Sequence, residues 1–502
     1  MGIVNPNLFA VFAAHFPSDP AAPLLELPAG ATLSYGQMLA GSAQLANVLM
    51  GLGLARGDRV SVQAEKSVSF LLLYLACLRS GMVFHPLNPG YTAGEMRYFL
   101  ENAEPTMFVG DPLLVDSLAL AQALAVPHCY TLDAAGEGTL MDAARHASST
   151  FETVTVAPDE LAALLYSSGT TGRPKGIMLS HTNLAANARA LTHAWEFTSS
   201  DVLLHALPVF HVHGLFIALG CTLMSGSRAV FLPRFEPAAV MAALPRCSVM
   251  MGVPTYYTRL LAEPAFDAAL ARHVRVFISG SAPLLSETFE AFERRTGQPI
   301  LERYGMTETS VIAANPLHGE RRAGAVGLPL AGMHVRLVDE AGEPVAPGAV
   351  GHVQVRGESV FDGYWRLPEK TREERTPEGF FNTGDDGRLD PQGYLHLVGR
   401  SKDLIITGGL NVYPSEIESV LDTLPAVAES AVIALPHPDF GEQVVAVLVL
   451  RAGVAFDEAG ARAQLKTALA NYKQPKRYVV MAALPRNAMG KVQKNLLREQ
   501  LA

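Results

Sequence analysis

Residues 161–176 read LAALLYSSGTTGRPKG, an apolar run that passes without a break into a loop of hydroxyls, glycines and one lysine. The run Leu161 to Leu165 is continuously apolar, as a strand buried on both faces is. Ser167, Ser168, Thr170 and Thr171 offer hydroxyl donors, while Gly169, Gly172 and Gly176 let backbone N–H groups approach an anion with no Cβ in the way. Lys175 adds a positive charge. A phosphate-holding loop at a strand end is the expectation, the bland alternative being a Ser/Thr/Gly surface loop without a ligand. It is not a Walker A loop, because Lys175 follows Pro174 and precedes Gly176, where that pattern needs Gly-Lys followed by Ser or Thr.

Working outward, residues 1 to about 400 alternate apolar runs with helical patterns. Ser34 to Leu52 places Met38, Leu45, Val48, Leu49 and Leu52 on one face, and Val274 to Ile278 runs into the turn Ser279-Gly280-Ser281. A helix is expected over Ser286 to Thr296, stopped by Gly297. This alternation predicts an α/β body with ligand-binding loops at its strand ends. Val326 to Arg356 is Gly-, Pro- and Val-rich with short alternating runs, which predicts a small β subdomain. After Gly399-Arg400 about a hundred residues carry their own strands (Ala431 to Leu435, Val444 to Leu450) and helices (Ser415 to Leu424, Asp457 to Ala470), the make-up of a small α+β domain. The expected domains are 1–400 and 401–502, with the boundary at Ser401 to Asp403.

The chain has 502 residues, 49% hydrophobic and 17% charged, with a formal net charge of −9. That balance suits a well-packed globular protein and gives no overall basic field to recruit nucleic acid or an anionic membrane. Cys77, Cys129, Cys221 and Cys247 are widely scattered without a CxxC pair. No Lys or Arg precedes Arg56, so the basic start of a signal peptide is missing. The early apolar run Val68 to Leu78 falls short of the ~20 residues that cross a bilayer. A cytoplasmic location is expected.

Three further clusters carry chemistry. In LERYGMTET, residues 301–309, Glu308 follows a glycine-containing turn, and near a phosphate loop its hard oxygens suit a Mg²⁺ ion bridging nucleotide phosphates. In FNTGD, residues 381–385, followed by Gly399-Arg400, Asp385 can accept hydrogen bonds from vicinal ribose hydroxyls and Arg400 can donate to them. In LPRNAMGKVQK, residues 484–494, Lys491 can neutralise charge developing at an α-phosphate if the small domain folds over the body. Each has an ordinary reading as a turn residue, a surface ion pair or a solvated charge.

These four clusters, in this order over residues 166–491, resemble the adenylate-forming superfamily of acyl-CoA synthetases, luciferases and peptide-synthetase adenylation domains. The resemblance implies a large N-terminal domain, a small mobile C-terminal domain and two half-reactions, using ATP, Mg²⁺ and coenzyme A. It places residues 167–175 at the β- and γ-phosphates, Thr307 at the α-phosphate and Glu308 on Mg²⁺. Gly280, Ser281, Ala282 and the segment Glu302, Arg303, Tyr304 match the adenine site, and Asp385 and Arg400 match the ribose contacts. Lys491 matches the lysine of the adenylation step, Lys402 the hinge, and Gly408-Gly409 the lining of the pantetheine tunnel. His211 is expected to gate the acyl site.

Arg303 stands where many family members have a neutral residue, and Arg259 follows Val253-Pro254-Thr255. If both face the acyl pocket, a second carboxylate on the substrate would meet them, since a buried unpaired guanidinium costs several kcal/mol. With HALPVFHVHGLF (205–216) and SGSAPL (279–284), the pair is similar to the malonate-activating branch of the superfamily. Methylmalonate stays open, with Met306 or its neighbours setting the limit on one extra methyl. The alternative puts Arg259 on a helix surface and pairs Arg303 with Glu302 or Glu308. Rival functions are an enzyme for another short carboxylate, a stand-alone adenylation enzyme loading a carrier protein, and a non-catalytic nucleotide-binding protein. His205, His211 and His213 lack the ligand that would complete a tetrahedral zinc site. Lys491 lies in an exposed-looking segment resembling the site where relatives are reversibly acetylated, which implies a lysine acetyltransferase and deacetylase as partners.

Overall fold

The computed structural model describes residues 5–167, 174–407, 410–437, 441–487 and 490–502. The strand Leu161–Tyr166 does not lead into a helix. It pairs antiparallel with Gly176–Ser180, Tyr166 opposite Gly176 and Leu165 opposite Ile177. This hairpin explains the missing Walker A signature, because no helix N-terminus follows the loop.

The hairpin belongs to a sheet of seven described strands, in which Val83–Pro86, Arg59–Gln63, Met107–Gly110 and His128–Thr131 run parallel. A second sheet of nine has a parallel centre, Leu301–Met306, Val276–Ser279, Val249–Gly252, Val202–His205 and Arg228–Phe231 in spatial order. The helix Val68–Ser80 is buried from Ser69 onward, with Tyr74 touching Phe84 of the first sheet (5.3 Å between ring centroids) and Phe216 of the turn His213–Ala218 (5.8 Å). An apolar run without a polar face belongs in such a place. The expected helices appear as Tyr35–Gly51, where Ser34 and Gln37 form a capping box, and Ser286–Thr296, ended by Gly297 at φ 76°.

The expected β subdomain is the antiparallel sheet of His334–Val338, Gly351–Arg356, Phe381–Leu389 and Leu395–Arg400. A single 3₁₀ turn, Ser401–Asp403, follows it. Beyond that turn the strands Val427–His437 and Gly441–Leu450 pair over their length, and Arg477–Met481 adds in parallel. This last sheet has an apolar cluster on each face, one with Ile417, Leu421 and Leu465, the other with Leu484 and Leu497. No described helix is long and apolar enough to cross a membrane.

Candidate active site

The carboxyl ends of both parallel sheets open on one cavity of about 1130 Å³, where ligands sit in open α/β sheets. Its wall carries Ser167 and Lys175 from the hairpin, His211 and His213 from the segment after His205, and Ser281 from the turn after Ser279. It also carries Arg303, Met306, Thr307 and Glu308. Arg400 comes from the end of the strand Leu395–Arg400, Lys402 from the turn after it, and Asn487, Lys491 and Gln493 from the C-terminal unit. Ser168, Gly169, Thr170, Thr171, Gly172, Gly408 and Gly409 lie outside the described residues.

Glu308 stands at the tip of a hairpin formed by Leu301–Met306 and Ser310–Ala314, with Met306 opposite Ser310. A side chain at Gly305 would put its Cβ 1.8 Å from the Ser310 carbonyl oxygen, so only glycine permits this close approach. The Glu308 carboxyl is buried and its Oε1 accepts from the Tyr364 hydroxyl at 3.3 Å. Burial raises its pKa, and the nearby Lys175 and Arg400 charges oppose that rise. The Lys175 ammonium lies 4.2 Å from the centre of the Tyr364 ring and 3.9 Å from Glu374 Oε1.

Asp385 is held behind the wall rather than on it. Its Oδ1 is 2.7 Å from Arg400 Nε and its Oδ2 accepts from the Tyr304 hydroxyl, so each oxygen keeps one lone pair for another donor. Arg400 also donates to the Thr383 carbonyl at 3.1 Å. Lys491 sits on a short turn in which its N–H donates to Asn487 Oδ1 at 3.0 Å. Burial and the Arg400 charge lower the Lys491 ammonium, with Asp385, Asp403 and Glu308 pulling the other way. Lys491 is therefore seated in the cleft, which corrects the expectation of an exposed segment. Burial, and the neighbouring Arg400, Lys491 and Arg498, bring Lys402 down to about 8.

Arg303 stands on the cavity wall near His211, His213 and Ser281. Its guanidinium is buried, and among the described residues Nε and Nη2 have no hydrogen-bond partner. It packs on Gly280, where a Cβ would lie 2.4 Å from Nε. Neither expected carboxylate pairs with it: Glu302 points to the opposite face of the strand, where Oε1 accepts from the Leu284 N–H at 3.2 Å, and burial pushes it up to about 8. His211, brought down to about 4 by burial and by Arg303, accepts from the His213 N–H through Nδ1 at 3.2 Å. His213 Nδ1 lies 3.2 Å from the Ser281 hydroxyl, and its Nε2 is buried without a partner. Ser281 holds φ at +73°, a strained value for a serine.

Arg259 is a correction. It is exposed on the helix Pro254–Ala262, whose buried residues are Tyr257 and Leu260, and it does not line the cavity. Gly280, Ala282, Glu302 and Tyr304 lie behind the lining, Gly280 serving Arg303 and Tyr304 serving Asp385. Sequence reasoning missed Tyr364 and Gln493; it set His213 aside as a zinc ligand and expected it, within His211 to Gly214, on the wall of the acyl pocket. The spacing FHVHG, two residues after His211, was the available signal for His213. Among the described residues no three His, Cys, Asp or Glu side chains gather to hold a metal ion.

The chain is similar to the malonate–CoA ligase of Arabidopsis thaliana, 33% identical over 94% of this chain and 85% of that one. It is also similar to the sulfoacetate–CoA ligase of Cupriavidus necator, 35% identical over 97% and 96%. The crystal structure of ATP-bound MatB from Rhodopseudomonas palustris, 49% identical over 99% of both chains, superposes with a TM-score of 0.97. The apo structure of that same protein gives 0.86, so the arrangement seen here is nearer the ATP-bound one. The AMP-binding enzyme model matches residues 9–365 and the model of that family's C-terminal domain matches 416–491, and the chain belongs to the AMP-binding enzymes.

Proposed function

We propose that this enzyme ligates malonate to coenzyme A through a malonyl-adenylate. One malonate carboxylate oxygen attacks the α-phosphorus of ATP, the bond to the bridging oxygen breaks and pyrophosphate leaves. The CoA thiol then attacks the acyl carbon, loses its proton and displaces AMP. The observation that carries the substrate assignment is Arg303, a buried guanidinium with two unpartnered nitrogens in the acyl part of the cavity. Left empty, such a group is costly; the distal carboxylate of a dicarboxylic acid supplies the acceptors it lacks. Relatives named for malonate and for sulfoacetate, both acids with a second anionic group, agree with that reading.

In this scheme Lys175 and the loop before it hold the β- and γ-phosphates, and Thr307 donates to the α-phosphate. Arg400 and the free lone pairs of Asp385 take the ribose hydroxyls. Glu308 fits a Mg²⁺ ion, being a buried carboxylate with no cation bonded to it among the described residues, and Mg²⁺ commonly takes one or two carboxylates with the rest of its shell from phosphates and water. When bound, that ion neutralises phosphate charge. Lys491 donates to the oxygens that gain charge as the carboxylate attacks. His211, neutral at physiological pH, closes the acyl site, and Met306 limits its size. Rotation at Lys402 then withdraws Lys491 and brings Gly408-Gly409 to the pantetheine path. Acetylation of Lys491 by a lysine acetyltransferase would disable the first step and spare the second, and it requires the lid to be turned out. A cytoplasmic site of action belongs to the proposal and is checked by fractionation.

The test is ATP- and CoA-dependent thioester formation with malonate, methylmalonate, succinate, acetate and octanoate, for the chain as given and for Arg303→Ala. We expect malonate to be preferred, and its kcat/KM to fall by roughly 10²–10⁴ in the variant, the equivalent of breaking a buried ion pair at about 3–5 kcal/mol. Preference for acetate or octanoate would sink the malonate reading.

A further inference from the structure

Directly behind the acyl wall, Lys66 is buried with its ammonium 2.7 Å from His205 Nδ1, 2.9 Å from the His205 carbonyl oxygen and 3.1 Å from the Leu207 carbonyl oxygen. The other ring nitrogen, His205 Nε2, lies 2.9 Å from the Gly214 carbonyl oxygen. The face of Phe231 covers the ammonium, 4.2 Å from the ring centre. None of these partners is a carboxylate.

The hydrogen bonds open to this pair favour one positive charge on it. The carbonyl oxygens of His205, Leu207 and Gly214 can only accept, those of His205 and Gly214 already taking the Leu232 and Leu219 N–H groups, so hydrogen bonds from this pair to all three call for two hydrogens on Nζ and one on Nε2. A fourth is needed between Nζ and Nδ1. A neutral amine and a neutral imidazole together supply three. Four are supplied either by an ammonium with a neutral ring or by an amine with an imidazolium, and both carry one positive charge. Burial alone pushes both groups toward neutrality. The three carbonyl acceptors oppose it, since the neutral pair would leave two lone pairs facing each other in a dry site.

This cation adjoins the acyl site. Gly214, which receives the His205 hydrogen bond, directly follows His213, and His213 lines the cavity and lies within electrostatic range of the His205 ring. We propose that the Lys66–His205 pair is a fixed buried cation that selects for a second negative charge on the substrate, acting behind Arg303 without touching the acid. The proposal rests on the malonate reading. It makes Lys66 a residue of specificity and not only a strut for residues 205–214.

The experiment compares malonate with malonamate, which has the same shape and lacks the distal charge, in ATP-dependent pyrophosphate release by the full chain and by Lys66→Met. We expect the unsubstituted enzyme to favour malonate and the variant to lose at least tenfold of that preference, with the KM for ATP within about twofold. Equal loss for both acids would mean that Lys66 only holds the loop, and would overturn the proposal. No preference for malonate in the unsubstituted enzyme would overturn the malonate reading and this inference with it. Should Lys66→Met fail to fold, ¹⁵N NMR of labelled lysine and histidine in the unsubstituted protein decides: one charge on the pair at pH 8 supports it, and two neutral groups refute it.

Discussion

At the residue scale, Glu302 and Arg303 show how adjacent positions on one strand divide two tasks. Alternation sends Arg303 to the cavity and Glu302 to a dry face beside Leu284, where burial raises its carboxyl from 4.5 to about 8. A folded pKa above the unfolded one means that the native state binds the extra proton between these values. Glu302 therefore lowers stability as pH rises from about 5 to 8, by up to about 1.4 kcal/mol per pH unit. Glu302→Gln keeps the acceptor for the Leu284 N–H and removes the titration. Its advantage in thermal unfolding should grow from pH 5 to pH 8 and level off above; a pH-independent difference would count against a raised Glu302. The arginine was legible in the sequence as an unexpected charge in the motif. Its accommodation by Gly280 was not, because that contact joins two strands whose register only the sheet defines.

At the element scale, the segment between His205 and the helix Leu219–Ser225 is decisive. It winds as a π-helical turn, His213–Ala218, and Gly214 faces the Pro208 carbonyl oxygen so closely that a Cβ would stand 2.0 Å from it. Gly214→Ala forces backbone apart, since no side chain is there to yield. We expect it to cost about 1–3 kcal/mol in denaturant unfolding and to lower malonate turnover more than ATP binding, because it displaces His211 and His213 together. Regular helices were read to within three residues, as Ser34 and Gln37 cap one and Gly297 ends another, the widest miss being Ser415 to Leu424 for Pro414–Leu421. Irregular turns escape such reading because their hydrogen bonds have no period. Arg259 was a failure of phase: Tyr257 and Leu260, three apart, mark the buried stripe of its helix, and Arg259 lies off it.

At the scale of the whole molecule, the cavity is closed by side chains from two bodies joined through Ser401–Asp403. Lys491→Ala should lower malonyl-adenylate formation by roughly 10²–10³, the cost of one electrostatic contact at developing charge, while thioester formation from preformed malonyl-adenylate stays within about threefold. Rapid-quench assays of the separate steps check this, and equal losses in both would deny the lysine its one-step role. The contacts that seat the C-terminal unit were not readable beforehand. Arg451 meets Glu287 at 3.1 Å through an exposed ion pair, and Gly490 abuts Thr255, with a Cβ there only 3.4 Å from the threonine side chain. Pairs so distant in sequence leave no local pattern. On the proposed roles, the residues that choose the acid, Arg303, His211 and Met306, all stand on the body, and the lid contributes Lys491 to the activation step. The two are modular: a lid grafted from another member of the family would bring its own lysine and its own kinetics, yet inherit the body's taste in acids unchanged.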